Sequence, residues 1–225
     1  MKVRRTLTAA ALSAAVAATA LTGITAAQAS TTAPALVKPA TAAVGTKPLA
    51  AVLAPYASRW DTNWNDYNIV THAVFAVLKA KPKSAVGVLA NGNVALTAFI
   101  PNDRAFQILV KQITGKTITT EAGVFKAVAT LGIPTIEKVL LYHVVPGATI
   151  TAAMALKSNG ANLTTALGAT IHVAAYAGPQ ISLWDKDPYL RNPRVILSRV
   201  NINVGNKQIA HGIDRVLLPL PIKPV

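Results

Sequence analysis

With 225 residues and 23.4 kDa, the chain has room for one large domain or two small ones and not for an elaborate multidomain assembly. It has no cysteine, which excludes structural disulfides, thiolate metal sites, a cysteine nucleophile and lipid attachment to an N-terminal cysteine. Its 22 basic against 8 acidic residues give a formal charge of +14, which favours anionic partners, yet no nucleic-acid motif accompanies it, so an intracellular DNA-binding role is rejected.

Met1 to Arg5 form a cationic start, Leu7 to Leu21 an alanine-rich apolar stretch, and Ala27-Gln28-Ala29 a small-residue cleavage site. This is the pattern of a secretory signal peptide over 1–29, cut after Ala29. Thr8, Ser13 and Thr19 interrupt the apolar stretch, which falls short of the ~20 residues that cross a bilayer. An uncleaved anchor is thus the weaker reading, and no transmembrane anchor is expected after cleavage. A secreted chain of this charge meets anionic polysaccharide, envelope polymers or lipid headgroups before it meets nucleic acid. Residues 30–50 are rich in Ala, Thr and Pro and lack aromatics, and Pro34, Pro39 and Pro48 break any helix. They predict a flexible linker, either a spacer or an unconstrained N-terminus, ahead of a domain over 51–225.

Ile69, Val70, Ala73, Val74, Val77 and Leu78 fall on one helical stripe, with Asp66 or Asn68 as cap. His72 lies on the opposite face and is expected in solvent. Trp60 and Trp64 precede this helix; they could form a sugar-stacking platform, but closing one end of the core is the favoured role. Asn91-Gly92-Asn93 is a turn signal before the apolar run Val94 to Ile100, a buried strand stopped by Pro101. Asn102 or Asp103 caps a helix that carries Phe106, Leu109 and Val110 inward. A helix over Glu121 to Ala129, opened by Thr119 or Thr120, comes next. Ile136 to Leu141 reads as a helical turn, Tyr142 to Val145 as extended, and Thr151 to Leu156 as another helix. Then Leu163–Leu167, Thr170–Ala174, Ile181–Trp184, Arg194–Ser198, Asn201–Val204 and Ile209–Leu218 read as short antiparallel strands. Helices in the first half and strands in the second predict an α+β domain.

Three segments together carry a family resemblance: Thr97-Ala98-Phe99-Ile100-Pro101-Asn102-Asp103-Arg104-Ala105-Phe106, Leu140-Leu141-Tyr142-His143-Val144-Val145-Pro146-Gly147, and Ile209 to Pro219 with His211 and Asp214. In order and spacing the chain resembles a fasciclin-type domain over about Tyr67 to Pro219. The resemblance implies a wedge of antiparallel strands flanked by several short helices, found in secreted and surface proteins of adhesion and matrix or envelope contact, with no general catalytic activity and no cofactor. It makes Tyr142 and His143 candidate receptor contacts, although the apolar sequence around them favours a role in the fold. The third block departs from the family pattern at Asn206-Lys207-Gln208, and Trp184 to Pro193 reads as an enlarged loop.

Asp103 can accept backbone N–H bonds or a bond from an imidazole, with His143 as one possible partner. His211 and Asp214 are three apart on a strand, hence on opposite faces. Ser198, His143 and Asp103 carry no nucleophile-elbow signal, so a hydrolase is the weakest alternative. The four histidines, His72, His143, His172 and His211, show no metal-ligand spacing and acidic residues are scarce, so no metal site is expected. Asn162-Leu163-Thr164 fits a glycosylation acceptor, which the bacterial look of the composition leaves idle. The remaining lead is basic: Lys79, Lys81 and Lys83 around Pro82, and Lys186, Arg191, Arg194 and Arg199 with Trp184 and Tyr189 among them. The second group joins cations to stacking surface, as contact with a polyanion requires; its alternative is a solvated face. The leading expectation is a secreted, noncatalytic adhesion or binding module acting on an envelope or matrix glycan or surface protein, with a carrier of a small apolar ligand as the alternative.

Overall fold

The structure is a computed structural model and describes residues 44–175 and 178–225. The expected signal peptide and most of the expected linker lie outside the described residues.

The central strand β1 (Leu96–Pro101) is buried at every position, and its two faces serve different cores. Leu96, Ala98 and Ile100 point into the larger core, built with the helices, while Phe99 points into a second, smaller one. A strand covered on both sides needs no polar alternation, which is why Leu96 to Pro101 reads as an almost unbroken apolar run. Its neighbours are β2 (Val144–Pro146), antiparallel to it, and β6 (Gln208–Ile213), parallel to it with Phe99 opposite His211. The expectation of antiparallel strands alone therefore fails for this one pair. A second sheet, β3 (Asn162–Thr164), β4 (Thr170–Ala175) and β5 (Ile181–Trp184), is antiparallel and turns Ile171, Val173, Ile181 and Leu183 toward Phe99 and Tyr142.

The helices cover the other face of β1. The stripe beginning at Ile69 forms α2 (Asn68–Ala80), and α3 (Asp103–Thr114), α4 (Glu121–Ala129) and α5 (Ile133–Tyr142) pack around it. Capping follows the side-chain chemistry: Asn102 accepts from the N–H of Ala105 at 2.9 Å, and Thr120 from that of Gly123 at 3.3 Å. Helix α5 is longer than expected and includes Tyr142, so the extended segment starts only at Val144. The short α6 (Ala152–Leu156) opens at Thr151. Arg194–Ser198 and Asn201–Val204 form isolated bridges and a 3₁₀ turn (Leu197–Arg199) in place of the expected strands, and Leu218 lies beyond the end of β6. Asn201 and Asn203 adopt φ of 55° and 67°, which bends this segment out of any ladder.

The domain begins earlier than expected. A helix α1 (Leu49–Leu53) lies partly in the predicted linker, and Leu49 is fully buried. The N–H of Gly45 donates to Gly205 at 2.8 Å, and the N–H of Leu49 donates to Gln208 Oε1, also at 2.8 Å. Leu49 and Leu53 seat it in the larger core beside Val70, Val74 and Leu89, partners that do not show in local composition.

Candidate functional site

Most of the residues singled out by family resemblance, Thr97, Phe99, Pro101, Asp103, Phe106, Tyr142, His143 and His211, lie in the interior, whereas Asp214 is half-buried at the surface. His143, 5% exposed, ends α5 and bonds through both ring nitrogens: Nδ1 to the carbonyl of Val139 at 2.7 Å, and Nε2 to the N–H of Leu217 at 3.0 Å. A carbonyl only accepts and an N–H only donates, so the ring is neutral with its proton on Nδ1. Burial, only partly offset by the Val139 carbonyl, pushes its pKa down to about 4. The bond from His143 to Asp103 that the sequence left possible is not made, because both nitrogens are already engaged. His211 repeats the arrangement, with Nε2 on the carbonyl of Ile150 at 2.8 Å and Nδ1 near the N–H of Asn201 at 3.4 Å. Tyr142 is fully buried and donates its hydroxyl to Thr170 at 2.9 Å. Both members of the Tyr-His motif thus join α5 to other segments and turn no surface toward a partner.

Thr97 and Asp103 do comparable work. The Thr97 hydroxyl donates to Ala148 at 2.8 Å and accepts from the N–H of Ile150 at 2.8 Å, which pins the loop after β2. Asp103 accepts from the N–H groups of Asn68 at 3.0 Å and Ile69 at 2.7 Å, so it caps α2 from the start of α3, in place of the expected Asp66 or Asn68. Pro101 ends β1, and Phe106 lines an apolar cavity of about 100 Å³ between the helices and the C-terminal segment, together with Leu109, Val128, Ile136, His143 and Ile222. With His143 and Asp103 engaged elsewhere, Ser198, His143 and Asp103 form no triad.

The enlarged loop is exposed and well anchored. Buried Asp187 accepts from the N–H groups of Tyr189 at 2.8 Å, Leu190 at 2.7 Å and Ile222, and Asp185 accepts from that of Leu218 at 2.8 Å. On this frame Trp184 and Tyr189 are 45% and 52% exposed, and Lys186, Arg191 and Arg194 are exposed beside them. The cations are not equivalent. Arg191 is ion-paired with Asp214, and the N–H of Arg194 also donates to that carboxylate, at 2.8 Å. Lys186 reaches the Thr170 hydroxyl at 3.1 Å. Arg199 packs elsewhere, beside Tyr67 and Gly212. In the first basic group Lys81 is paired with Glu137.

Two expectations about the residues around α2 need different treatment. Trp60 and Trp64 pack against the core, as favoured. His72 is not solvated: it is half-buried and stacked on Trp60 with ring centroids 3.9 Å apart, and burial lowers its pKa. Just before α2, Asp61 and Asp66 also approach Glu121, whose Oε2 accepts from the N–H of Asp61 at 2.9 Å and from Asn68 Nδ2 at 3.0 Å. Histidine spacing could not find this group. The visible signal is the run Asp61-Thr62-Asn63-Trp64-Asn65-Asp66, dense in carboxylate and amide oxygens.

The fasciclin domain model matches residues 70–219 of this sequence. The chain belongs to the fasciclin domain family. Its fold is similar to that of a pair of fasciclin domains from the insect cell adhesion molecule fasciclin I, with a TM-score of 0.51 and 18% identity over 78% of this chain. The chain spans about half, 52%, of that two-domain structure. No curated protein matches the sequence. Among the described residues no helix of this fasciclin domain is long and apolar enough to cross a membrane.

Proposed function

We propose that this fasciclin domain is a secreted, noncatalytic adhesion or binding module that works at the cell envelope or in the extracellular matrix through an anionic glycan or surface-protein partner. The observation that supports this reading is the Trp184–Arg194 loop, in which two exposed aromatic rings stand among exposed cations on a segment fixed by buried Asp187. Aromatic faces stack on sugars, and cations beside them attract acidic groups. Arg191 contributes less than its charge suggests because Asp214 neutralises it, which leaves Lys186 and Arg194 as the working cations.

The test is binding of the protein from Ser30 onward to isolated envelope or matrix polysaccharide at low and physiological salt. Saturable binding that weakens with salt is expected. Lys186→Ala with Arg194→Ala should weaken it, Trp184→Ala should weaken it further, and the melting temperature should stay nearly unchanged. Binding unaltered by all three substitutions would overturn the reading.

A carrier of a small apolar ligand is the second reading, supported by the cavity of about 100 Å³ beside Phe106. That volume is well below the ~300–1,000 Å³ of pockets for drug-sized molecules, so the cavity suits only a small apolar guest. Copurified lipid or pigment extracted from the protein would favour it.

A further inference from the structure

This chain of formal charge +14 gathers four of its eight acidic residues, Asp61, Asp66, Asp103 and Glu121, around the N-terminus of α2. None of the four makes an ion pair among the described residues, although the chain has 22 lysines and arginines. Arg104, next to Asp103, has its guanidinium over the Trp64 ring at 5.3 Å and bonds Gln107, and Arg59, two residues before Asp61, makes no ion pair among the described residues. Asp61, Asp66 and Glu121 each offer one oxygen within 4.8 Å of the others. Asp66 is 8% exposed and Glu121 1%, and one oxygen of each, Asp66 Oδ1 and Glu121 Oε1, is fully buried without a hydrogen-bond partner among the described residues. Unpaired buried carboxylate oxygens are destabilising unless something positive meets them.

Protons or a cation can meet them. A proton on Asp103 can serve Asp66, beside which it is buried, whereas Glu121 Oε1 has no hydrogen-bond partner among the described residues. We propose that Asp61, Asp66 and Glu121 bind a divalent cation, with calcium preferred over magnesium. The donors are all hard oxygens, which excludes soft metals. Calcium bonds oxygen at ~2.3–2.6 Å in flexible geometry, which suits carboxylates arriving from separate segments, whereas magnesium at ~2.0–2.1 Å demands a near-ideal octahedron. The supports are in place: Glu121 is oriented through its other oxygen by the N–H of Asp61 and by Asn68, and Asp66 through Asn63 Nδ2 at 3.2 Å. The loop is stapled to α3, with the N–H of Asp103 on the carbonyl of Asp66 at 3.0 Å and that of Arg104 on the carbonyl of Trp64 at 2.9 Å. Asp61 is only half-buried, which leaves the ion a way in, and the ion would tie this loop to the first turns of both α2 and α4.

Trp60 and Trp64 flank Asp61, so terbium in the same place should luminesce on tryptophan excitation. The purified full chain, stripped with chelator, is titrated with terbium, and calcium or magnesium is then added in competition. Expected are saturable terbium emission, displacement by calcium at lower concentration than by magnesium, and a rise in melting temperature with calcium alone. Glu121→Gln should weaken both responses at least ~10-fold, and Glu137→Gln, at the carboxylate paired with Lys81, should leave them intact. If Glu121→Gln does not fold, Asp61→Asn at the more exposed position should give the same weakening. No calcium-dependent rise in melting temperature at concentrations above the ~10⁻³ M that saturates extracellular calcium modules overturns the proposal and assigns the cluster to protons. Emission unchanged by both substitutions, or a stronger response to magnesium, overturns it as well.

Discussion

Asp103 closes the first turn of a helix to which it does not belong: as the first residue of α3, it accepts the backbone N–H of Ile69, the second residue of α2, at 2.7 Å. Its other oxygen takes the N–H of Asn68, so one side chain does for α2 what an N-cap does locally. Burial, and then the neighbouring Asp66 carboxyl, push the Asp103 pKa up to about 9, so at neutral pH Asp103→Ala removes two bonds from a neutral carboxyl to orphan helix N–H groups, at an expected cost of about 1–2 kcal/mol. Asp103→Asn, which keeps one acceptor, should cost less. Urea denaturation at neutral pH measures both, and an unmoved midpoint for the alanine variant would remove Asp103 from its capping role.

His143 makes the domain acid-sensitive in a defined window. Its folded pKa of about 4 lies below the ordinary histidine value of 6.5, so the unfolded chain takes up the proton first. The stabilisation is complete above pH 6.5 and is lost as pH falls from there to about 4, amounting to about 3 kcal/mol at 1.36 kcal/mol per pKa unit. Denaturation midpoints at several pH values should show this fall, and His143→Gln, which does not titrate, should flatten it. Equal slopes for the two proteins would mean that the acid sensitivity resides elsewhere.

Thr97→Val swaps a hydroxyl for a methyl of nearly the same size. The N–H of Ile150 and the carbonyl of Ala148 both lose their partner, and a cost of about 1–3 kcal/mol is expected. Hydrogen exchange should quicken at Ile150 more than in α2. Exchange that rises uniformly would argue against a local latch.

Gly212 sits where a Cβ would come 2.5 Å from the Tyr67 hydroxyl and 2.8 Å from Arg199 Cβ. Gly212→Ala is expected to cost about 1–3 kcal/mol through overpacking. The Tyr67 hydroxyl is buried without a hydrogen-bond partner among the described residues, so Tyr67→Phe should be close to neutral alone and recover part of the loss in combination. Strict additivity of the two substitutions in a thermal-denaturation cycle would show that the hydroxyl is not the obstacle.

The parts legible in sequence were those whose cause is local. The Ile69–Leu78 stripe, the caps Asn102 and Thr120 and the apolar run of β1 follow from spacing and side-chain chemistry within a few residues. What stayed hidden depends on distant pairs. Leu49 is seated by Gln208, Asp103 serves α2, and His143 serves Leu217, and no periodicity encodes such partners. The basic loop was visible as composition, but that Asp214 would claim Arg191 was not. The carboxylates Asp61 and Glu121 lie sixty positions apart and meet only because α2 and α4 begin side by side.

The parallel pairing of β1 with β6 sets a timetable for the growing chain. Leu96 waits for Gln208, so the middle strand keeps one edge bare until almost the last segment has been synthesised. Contacts so remote in sequence slow folding, and a chain cut short before Gln208 would be left with an open, sticky border instead of a smaller stable domain.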